Sequence, residues 1–171
     1  MNARVFGVPL AIDESVVEAS TGEIRRRVAT YGRAQSRERG EPTEWSGFDV
    51  EIDYPEGSTG NVMHEMANIP CGETRACGEV AAALDTAPVA VGGACGRNPV
   101  PLIVPCHRVV RADSIGGYSG GGDRGVALER RLLDHERAVV GTDPEGPADR
   151  SRTHKGFLLD DRSSQRSTVD S

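Results

Sequence analysis

Proline and glycine cut the middle of this chain into pieces too short for a long helix or a wide sheet. Prolines stand at positions 70, 88, 99, 101 and 105, among small and apolar residues. A proline disfavours helical geometry in the residue before it and cannot sit inside a helix without breaking it. The pieces left between these breaks predict a helix over 61–67, a second over 78–84 and a third over 89–96. In the second, Val80, Ala81 and Leu84 recur at helical spacing. Asp85-Thr86-Ala87-Pro88 separates it from the third, which is built of small residues and ends at Asn98-Pro99. Helix, short turn and helix of small residues is the layout of a helix-turn-helix.

Towards the C-terminus, Leu128, Leu132, Leu133 and Val139 recur with the period of an amphipathic helix over 126–139. Beyond about residue 141 the chain is polar and almost without aromatics, which predicts a disordered tail. At the other end, 20–39 reads as a helix whose Arg25-Arg26-Arg27 triplet forms a solvated face, and the alternation over 48–54 reads as one strand. Pro55-Glu56-Gly57-Ser58-Thr59-Gly60 punctuates the chain and marks a domain boundary. The expected division is therefore 1–57, 58–140 and 141–171.

The net charge of −6 is unlike that of most nucleic-acid binders, but it is unevenly spread. Residues 1–58 carry seven basic and eleven acidic side chains, whereas 59–137 carry eight and nine. The middle of the chain is thus nearly balanced and able to present one basic face. Cys71, Cys77, Cys95 and Cys106 fall within one short stretch, which fits a reduced cytoplasmic protein better than a secreted disulfide framework. Paired C-x-x-C spacings are absent, which argues against zinc. Neither a signal-peptide pattern nor a long apolar run is present, so a soluble, cytoplasmic protein is expected.

The chemistry concentrates in Val104-Pro105-Cys106-His107-Arg108-Val109-Val110, a cysteine set against a histidine and an arginine in a polar island between apolar residues. A thiol attacks as thiolate, and a free thiol is only a few per cent ionised at neutral pH, so it needs a base or a positive field. His107 is adjacent, but in an extended segment neighbouring side chains point to opposite faces. A bridging water would then link the two. Taken alone, a Cys-His pair is more often a buried turn than a nucleophile. Its setting decides otherwise: Gly92-Gly93-Ala94-Cys95-Gly96-Arg97-Asn98-Pro99-Val100-Pro101-Leu102-Ile103 lies upstream, and Gly117-Tyr118-Ser119-Gly120-Gly121 and Leu132-Leu133-Asp134-His135-Glu136 lie downstream.

In this order these blocks resemble the O6-alkylguanine-DNA alkyltransferases, the methylated-DNA-protein-cysteine methyltransferases, over about residues 61 to 137. The resemblance implies an α+β fold: a small N-terminal strand-containing domain followed by a mostly helical C-terminal domain with a helix-turn-helix. It implies a single, irreversible transfer of an alkyl group from O6 of guanine to Cys106, with no metal, nucleotide or organic cofactor. By residue match, Cys106, a water, His107 and Glu136 form a hydrogen-bonded relay, and Asn98 braces the turn before the thiol. About four extra residues around 122–125 leave Glu129 as a second candidate for the carboxylate, with the His-Glu pair favouring Glu136. Tyr118 would help guanine leave, the backbone near Ser119 would line the pocket, and Val109 would form part of its wall. The partner implied is duplex DNA containing O6-alkylguanine, met by a monomer with no membrane attachment.

Reaching O6 requires the nucleotide to be flipped out of the stack. The resemblance assigns that work to the helix-turn-helix in the minor groove, which here contains Val89, Ala90 and Gly92. Two departures fall there. Val89 stands where the family carries an arginine finger, and Cys77 stands where it carries a tyrosine that presses on the target phosphate. Arg97 and Arg75 are the cations able to compensate, and Val89 could act as an apolar wedge. The alternative is a non-enzymatic alkyltransferase-like protein that binds the lesion without repairing it; a cysteine hydrolase would need a distant histidine and asparagine pair that is not recognisable. Stoichiometry separates the three: one alkyl group per protein, none, or many turnovers.

Overall fold

The computed structural model describes residues 1–34, 47–111 and 123–141. The expected loop over 116–122 with Tyr118 and Ser119, the end of the expected 20–39 helix and the tail after 141 lie outside them. Among the described residues are five α-helices and two small two-stranded sheets, the α+β mixture expected.

The chain opens with a hairpin, β1 (Asn2–Val5) antiparallel to β2 (Val8–Ala11). Its turn is Phe6-Gly7, both with positive φ, 49° and 81°, as a tight two-residue hairpin turn with the right-handed strand twist demands. Helix α1 (Thr21–Arg33) then lies on the hairpin. Ser20 caps it by accepting from the Glu23 N–H at 3.2 Å. Ile24, Val28 and Tyr31 form its buried stripe, spaced four and three residues apart. Arg25 and Arg26 are exposed, as a solvated face requires. Arg27 is instead half-buried, pairing with Glu23 and donating to the Phe48 carbonyl.

The strand expected over 48–54 does not form as a ladder. Only an isolated antiparallel bridge joins Ile52 to Val17, with Glu18 N–H to Glu51 O and Asp53 N–H to Val16 O beside it. The alternation reflects an extended segment with one side against the protein, which among the described residues pairs through that one bridge.

Helix α2 (Ser58–Ala67) starts three residues earlier than the sequence suggests. The space for it is tight, since a Cβ on Gly60 would lie 1.8 Å from the Pro55 carbonyl oxygen. Helix α3 (Cys77–Ala83) and helix α4 (Pro88–Gly96) follow, separated by residues 84–87. Glu79 accepts from the Ala76 N–H at 2.7 Å, satisfying one of the orphan donors at the start of α3. Pro88 opens α4, where its missing N–H costs nothing. Met63 and Met66 of α2, Val80 and Ala81 of α3 and Val91 and Ala94 of α4 are fully buried together, each large side chain contributing about 1.5–3 kcal/mol of hydrophobic stabilisation. Small residues in α4 let the helices approach.

Two short strands, β3 (Arg75–Ala76) and β4 (Val109–Val110), pair in parallel, Arg75 opposite Val109. They tie the start of α3 to the segment just after Cys106. Helix α5 (Asp123–Val140) closes the described structure and buries Leu128, Leu132, Leu133 and Val139. It starts at Asp123, within the stretch 122–125. Among the described residues, no helix is long and apolar enough to cross a membrane.

Candidate active site

Cys106 sits at the start of a single 3-10 turn, Cys106–Arg108. This corrects the expectation of an extended segment: the Arg108 N–H donates to Pro105 O at 2.9 Å, so Cys106 and His107 do not simply face opposite ways. Two features force the chain into this turn. Leu102 has a left-handed φ of 77°, a conformation that costs a non-glycine residue of order 1 kcal/mol. Asn98 then spans the bend, its Nδ2 donating to Val104 O at 2.8 Å and its Oδ1 accepting from Val100 N–H at 3.0 Å.

The thiol is buried at 5% exposure. Burial pushes it up to about 11, and the Glu129 charge adds to the rise, while hydrogen bonds from the Asn98 side chain and the backbone N–H groups of Cys106 and His107 oppose it. A small cavity beside it is lined by Leu10, Leu102, His107, Leu128, Glu129 and Leu132 among others. Leu10 belongs to the N-terminal hairpin, so that segment reaches the thiol's surroundings. Val109 is buried in β4 and is not among the described residues lining this cavity.

Distance distinguishes the two carboxylates. His107 Nε2 meets Glu136 Oε1 at 2.7 Å, and both side chains are buried. Glu129, two turns earlier on α5, is buried too but lines the cavity next to Cys106. Glu136 receives a further set of donors. Arg108 grips it with both arms, Nε to Oε2 at 2.8 Å and Nη2 to Oε1 at 2.9 Å, while its Nη1 donates to Ile69 O at 2.6 Å. The Gly72 N–H donates to Oε2 at 3.1 Å and the Tyr31 hydroxyl to Oε1 at 3.1 Å. Gly72 has φ 81°, which a side chain would oppose.

Burial alone would push the Glu136 carboxyl upward, but the hydrogen bonds and positive charge of His107 and Arg108 outweigh it and hold the group well below the usual carboxylate range. Glu136 is therefore an anion. Its oxygen can only accept from His107 Nε2, which places a proton on that nitrogen and leaves Nδ1 as the ring nitrogen through which a proton can be exchanged. Tyr31, Gly72 and Arg108 were not assigned any part of the site by sequence. Arg108 lies within the thiol motif itself; Tyr31 and Gly72 lie 105 and 64 residues from Glu136, with no spacing to betray them.

The remaining candidates sit in and beside α4 and β3. Val89 projects from the first turn of α4 at 82% exposure, with Ala90 and Gly92 partly exposed on the same helix. Arg97, exposed at the end of α4, donates to Thr59 Oγ1 at 3.2 Å. Arg75 is ion-paired with Glu65, so its charge is already partly met.

A buried thiol in a tight turn, a histidine bonded to an ionised glutamate, and a helix with an exposed valine at its first turn define a protein with a buried cysteine beside a histidine–glutamate pair. The comparisons place it. Residues 58–138 match the family model described as 6-O-methylguanine DNA methyltransferase, DNA binding domain. A methylated-DNA–protein-cysteine methyltransferase of Archaeoglobus fulgidus is 44% identical over 96 residues, covering 52% of this chain and 65% of that protein. One of Methanocaldococcus vulcanius is 52% identical over 79 residues, covering 46% and 47%. The chain thus spans between about half and two thirds of these curated relatives. Among solved structures, an O6-methylguanine methyltransferase of Mycobacterium tuberculosis is 31% identical with a TM-score of 0.54, covering 76% of this chain and 70% of that one. A structure of Mycobacterium tuberculosis OGT in complex with DNA is 34% identical with a TM-score of 0.51, covering 69% and 68%. The chain belongs to the O6-methylguanine-DNA methyltransferase family.

Proposed function

We propose that this protein repairs DNA by transferring the alkyl group of O6-alkylguanine directly and irreversibly to Cys106. The observation that carries this reading is that Cys106 and His107 line one cavity in the matched segment, with His107 bonded to the ionised Glu136. His107 Nδ1, left free by the bond at Nε2, takes the thiol proton through a water. The Cys106 sulfur then attacks the alkyl carbon, forming the S–C bond as the C–O6 bond breaks. The electron pair of that bond stays on the guanine, which gains a proton, so the thiol hydrogen is in net terms exchanged for the alkyl group. Glu136 steadies the imidazolium formed on the way, as the acid of a catalytic triad does. Asn98 holds the turn that aims the sulfur. Tyr118 and Ser119, beyond the described residues, are assigned to hydrogen-bonding guanine and lining its pocket, with Val109 behind them.

The resting thiol is protonated, because burial holds it near 11. It becomes a nucleophile only when the base enters, which suits a group used once. The partner is duplex DNA carrying O6-alkylguanine, engaged by α3 and α4 in the minor groove with Val89 as an apolar wedge, Ala90 and Gly92 giving close approach, and Arg97 and Arg75 supplying positive charge. Four free cysteines suit work in a reducing cytoplasm.

Intact-protein mass spectrometry after incubation with O6-methylguanine duplex DNA tests the reading, beside Cys106→Ser and a sample given free O6-benzylguanine. One added methyl group per chain, mapped to Cys106 and absent from the variant, is expected. No adduct from DNA together with benzylation by the free base would place the failure in nucleotide flipping. No adduct from either would overturn the proposal in favour of a lesion-binding protein.

A further inference from the structure

Tyr31 lies on α1, outside the segment 58–138 that matches the family model, yet its hydroxyl reaches the carboxylate of the relay. We propose that Tyr31 is a positioning residue for alkyl transfer: its hydroxyl fixes the Glu136 oxygen that orients His107, so the N-terminal segment forms part of the active site. This rests on the alkyltransferase reading of the site.

The geometry is specific to the hydroxyl. Glu136 Oε1 accepts from His107 Nε2 at 2.7 Å, Arg108 Nη2 at 2.9 Å and Tyr31 at 3.1 Å, while Oε2 accepts from Arg108 Nε and Gly72 N–H. A carboxylate offers about four lone-pair sites, so five donors leave it little freedom to turn. Four of those donors come from the matched segment, and the fifth comes from α1.

Tyr31 is itself held in place. Its ring stacks on Phe48 with centroids 6.1 Å apart and meets His135 edge-on at 5.1 Å. His135 Nε2 donates to the Tyr31 carbonyl at 2.7 Å. Because His135 precedes Glu136 on α5, one helix turn carries both the clamp on Tyr31 and the carboxylate it serves. Phenylalanine would make the same ring contacts, so core packing alone gives no use for the hydroxyl. Burial and the Glu136 charge push the phenol far above its ordinary range, so it remains a donor at any working pH.

Donation from Tyr31 draws negative charge away from Oε1 and weakens the hold of Glu136 on the imidazole proton. The other ionisable groups facing Glu136 are His107 and Arg108 from the thiol turn and Cys71 from the turn before β3. Without the phenol, the carboxylate loses one of the donors that fix it, and the imidazole bonded to Oε1 is oriented less firmly.

The test uses Tyr31→Phe in the full chain, with Phe48→Leu as a variant that loosens the same cluster but keeps the hydroxyl. Single-turnover methyl transfer from O6-methylguanine duplex DNA is followed across pH by intact mass. In parallel, iodoacetamide modification of Cys106 is mapped by peptide mass across the same pH range, which requires no DNA chemistry. Tyr31→Phe is expected to slow transfer about tenfold near neutral pH, the loss of one hydrogen bond to a charged group, and to displace both pH profiles from those of the wild type by about one unit. Phe48→Leu is expected to lower thermal stability and leave the profiles where they are. Wild-type profiles in Tyr31→Phe, or the same shift in Phe48→Leu, would overturn the proposal. If the wild type transfers no methyl group, the alkyltransferase reading fails, and the iodoacetamide profiles still decide the role of Tyr31.

Discussion

Replacing Glu136 by Gln removes one negative charge from a point where five donors converge, and the cost can be worked from the partners left behind. Arg108 loses a bidentate partner; its side chain is 12% exposed and keeps only the Ile69 carbonyl. His107 loses its acceptor and is itself buried. Breaking a buried ion pair by removing one partner costs about 3–5 kcal/mol. Partial hydration of Arg108 and the amide oxygen retained by Gln favour the lower end. At about 2–4 °C per kcal/mol for a chain of this size, a loss of about 3 kcal/mol lowers Tm by roughly 6–12 °C at pH 7. The pH dependence has a definite sign. The folded carboxyl of Glu136 is held below its unfolded value, so its contribution is fully present above about pH 4.3 and is lost as pH falls through the lower, folded value. The gap in Tm between wild type and Glu136→Gln should therefore be constant from pH 7 to 5 and narrow below about pH 4. Thermal melts followed by circular dichroism at closely spaced pH values give both numbers. A Tm within about 2 °C of wild type at pH 7, or a gap that does not change on acidification, would refute the reasoning.

Cys106, held near 11 by burial, should react with iodoacetamide at a rate that climbs about tenfold per pH unit up to that region; a plateau near pH 8 would mean that the resting thiol is already activated. The same shift makes stability fall as pH rises from about 8.5 towards 11, since the unfolded thiol ionises first. Asn98→Ala leaves Val104 O and Val100 N–H without their partners and should cost about 2–4 kcal/mol, measured by urea denaturation; unchanged stability would show that the turn holds itself. Val89→Arg places a cation on the exposed first turn of α4. It should tighten duplex binding and steepen its salt dependence by about one counterion, read by fluorescence anisotropy, and it should speed transfer from duplex DNA while leaving reaction with free O6-benzylguanine unchanged.

The helical part of this fold was legible because its signals are local. Pro88 and Asn98-Pro99 bracket α4 within one residue, and the leucines of α5 set its inward face. The start of α2 was misplaced by three residues because Gly57 and Ser58 read as a turn, whereas Gly57 sits at the helix cap. The hairpin of β1 and β2 escaped notice: its strands are four residues long and its turn is Phe6-Gly7, without the asparagine or aspartate that usually announces such a turn. The thiol, its histidine and both candidate carboxylates stood in one motif order and could be named. Glu136 was favoured over Glu129 by its place in the His-Glu pair, and Glu136 is the carboxylate that meets His107 Nε2 at 2.7 Å. Tyr31 and Gly72 could not be found in the same way, because a hydrogen bond between residues 105 or 64 positions apart leaves no periodicity in the chain.

The place of Glu136 in the sequence also sets an order of events during synthesis. His107 leaves the ribosome 29 residues ahead of the glutamate that orients it, a lag of roughly one to six seconds at ordinary rates of chain growth. During that interval the residues of the hairpin and α1 have already been synthesised, and Tyr31 precedes a carboxylate that has not yet been made. The nascent chain therefore carries its cysteine as an ordinary, unassisted thiol, and the machinery that makes it reactive closes only with the last described helix. A protein that can act once therefore passes through synthesis with its sulfur exposed and more readily ionised than in the finished fold, where burial keeps the thiol of Cys106 protonated.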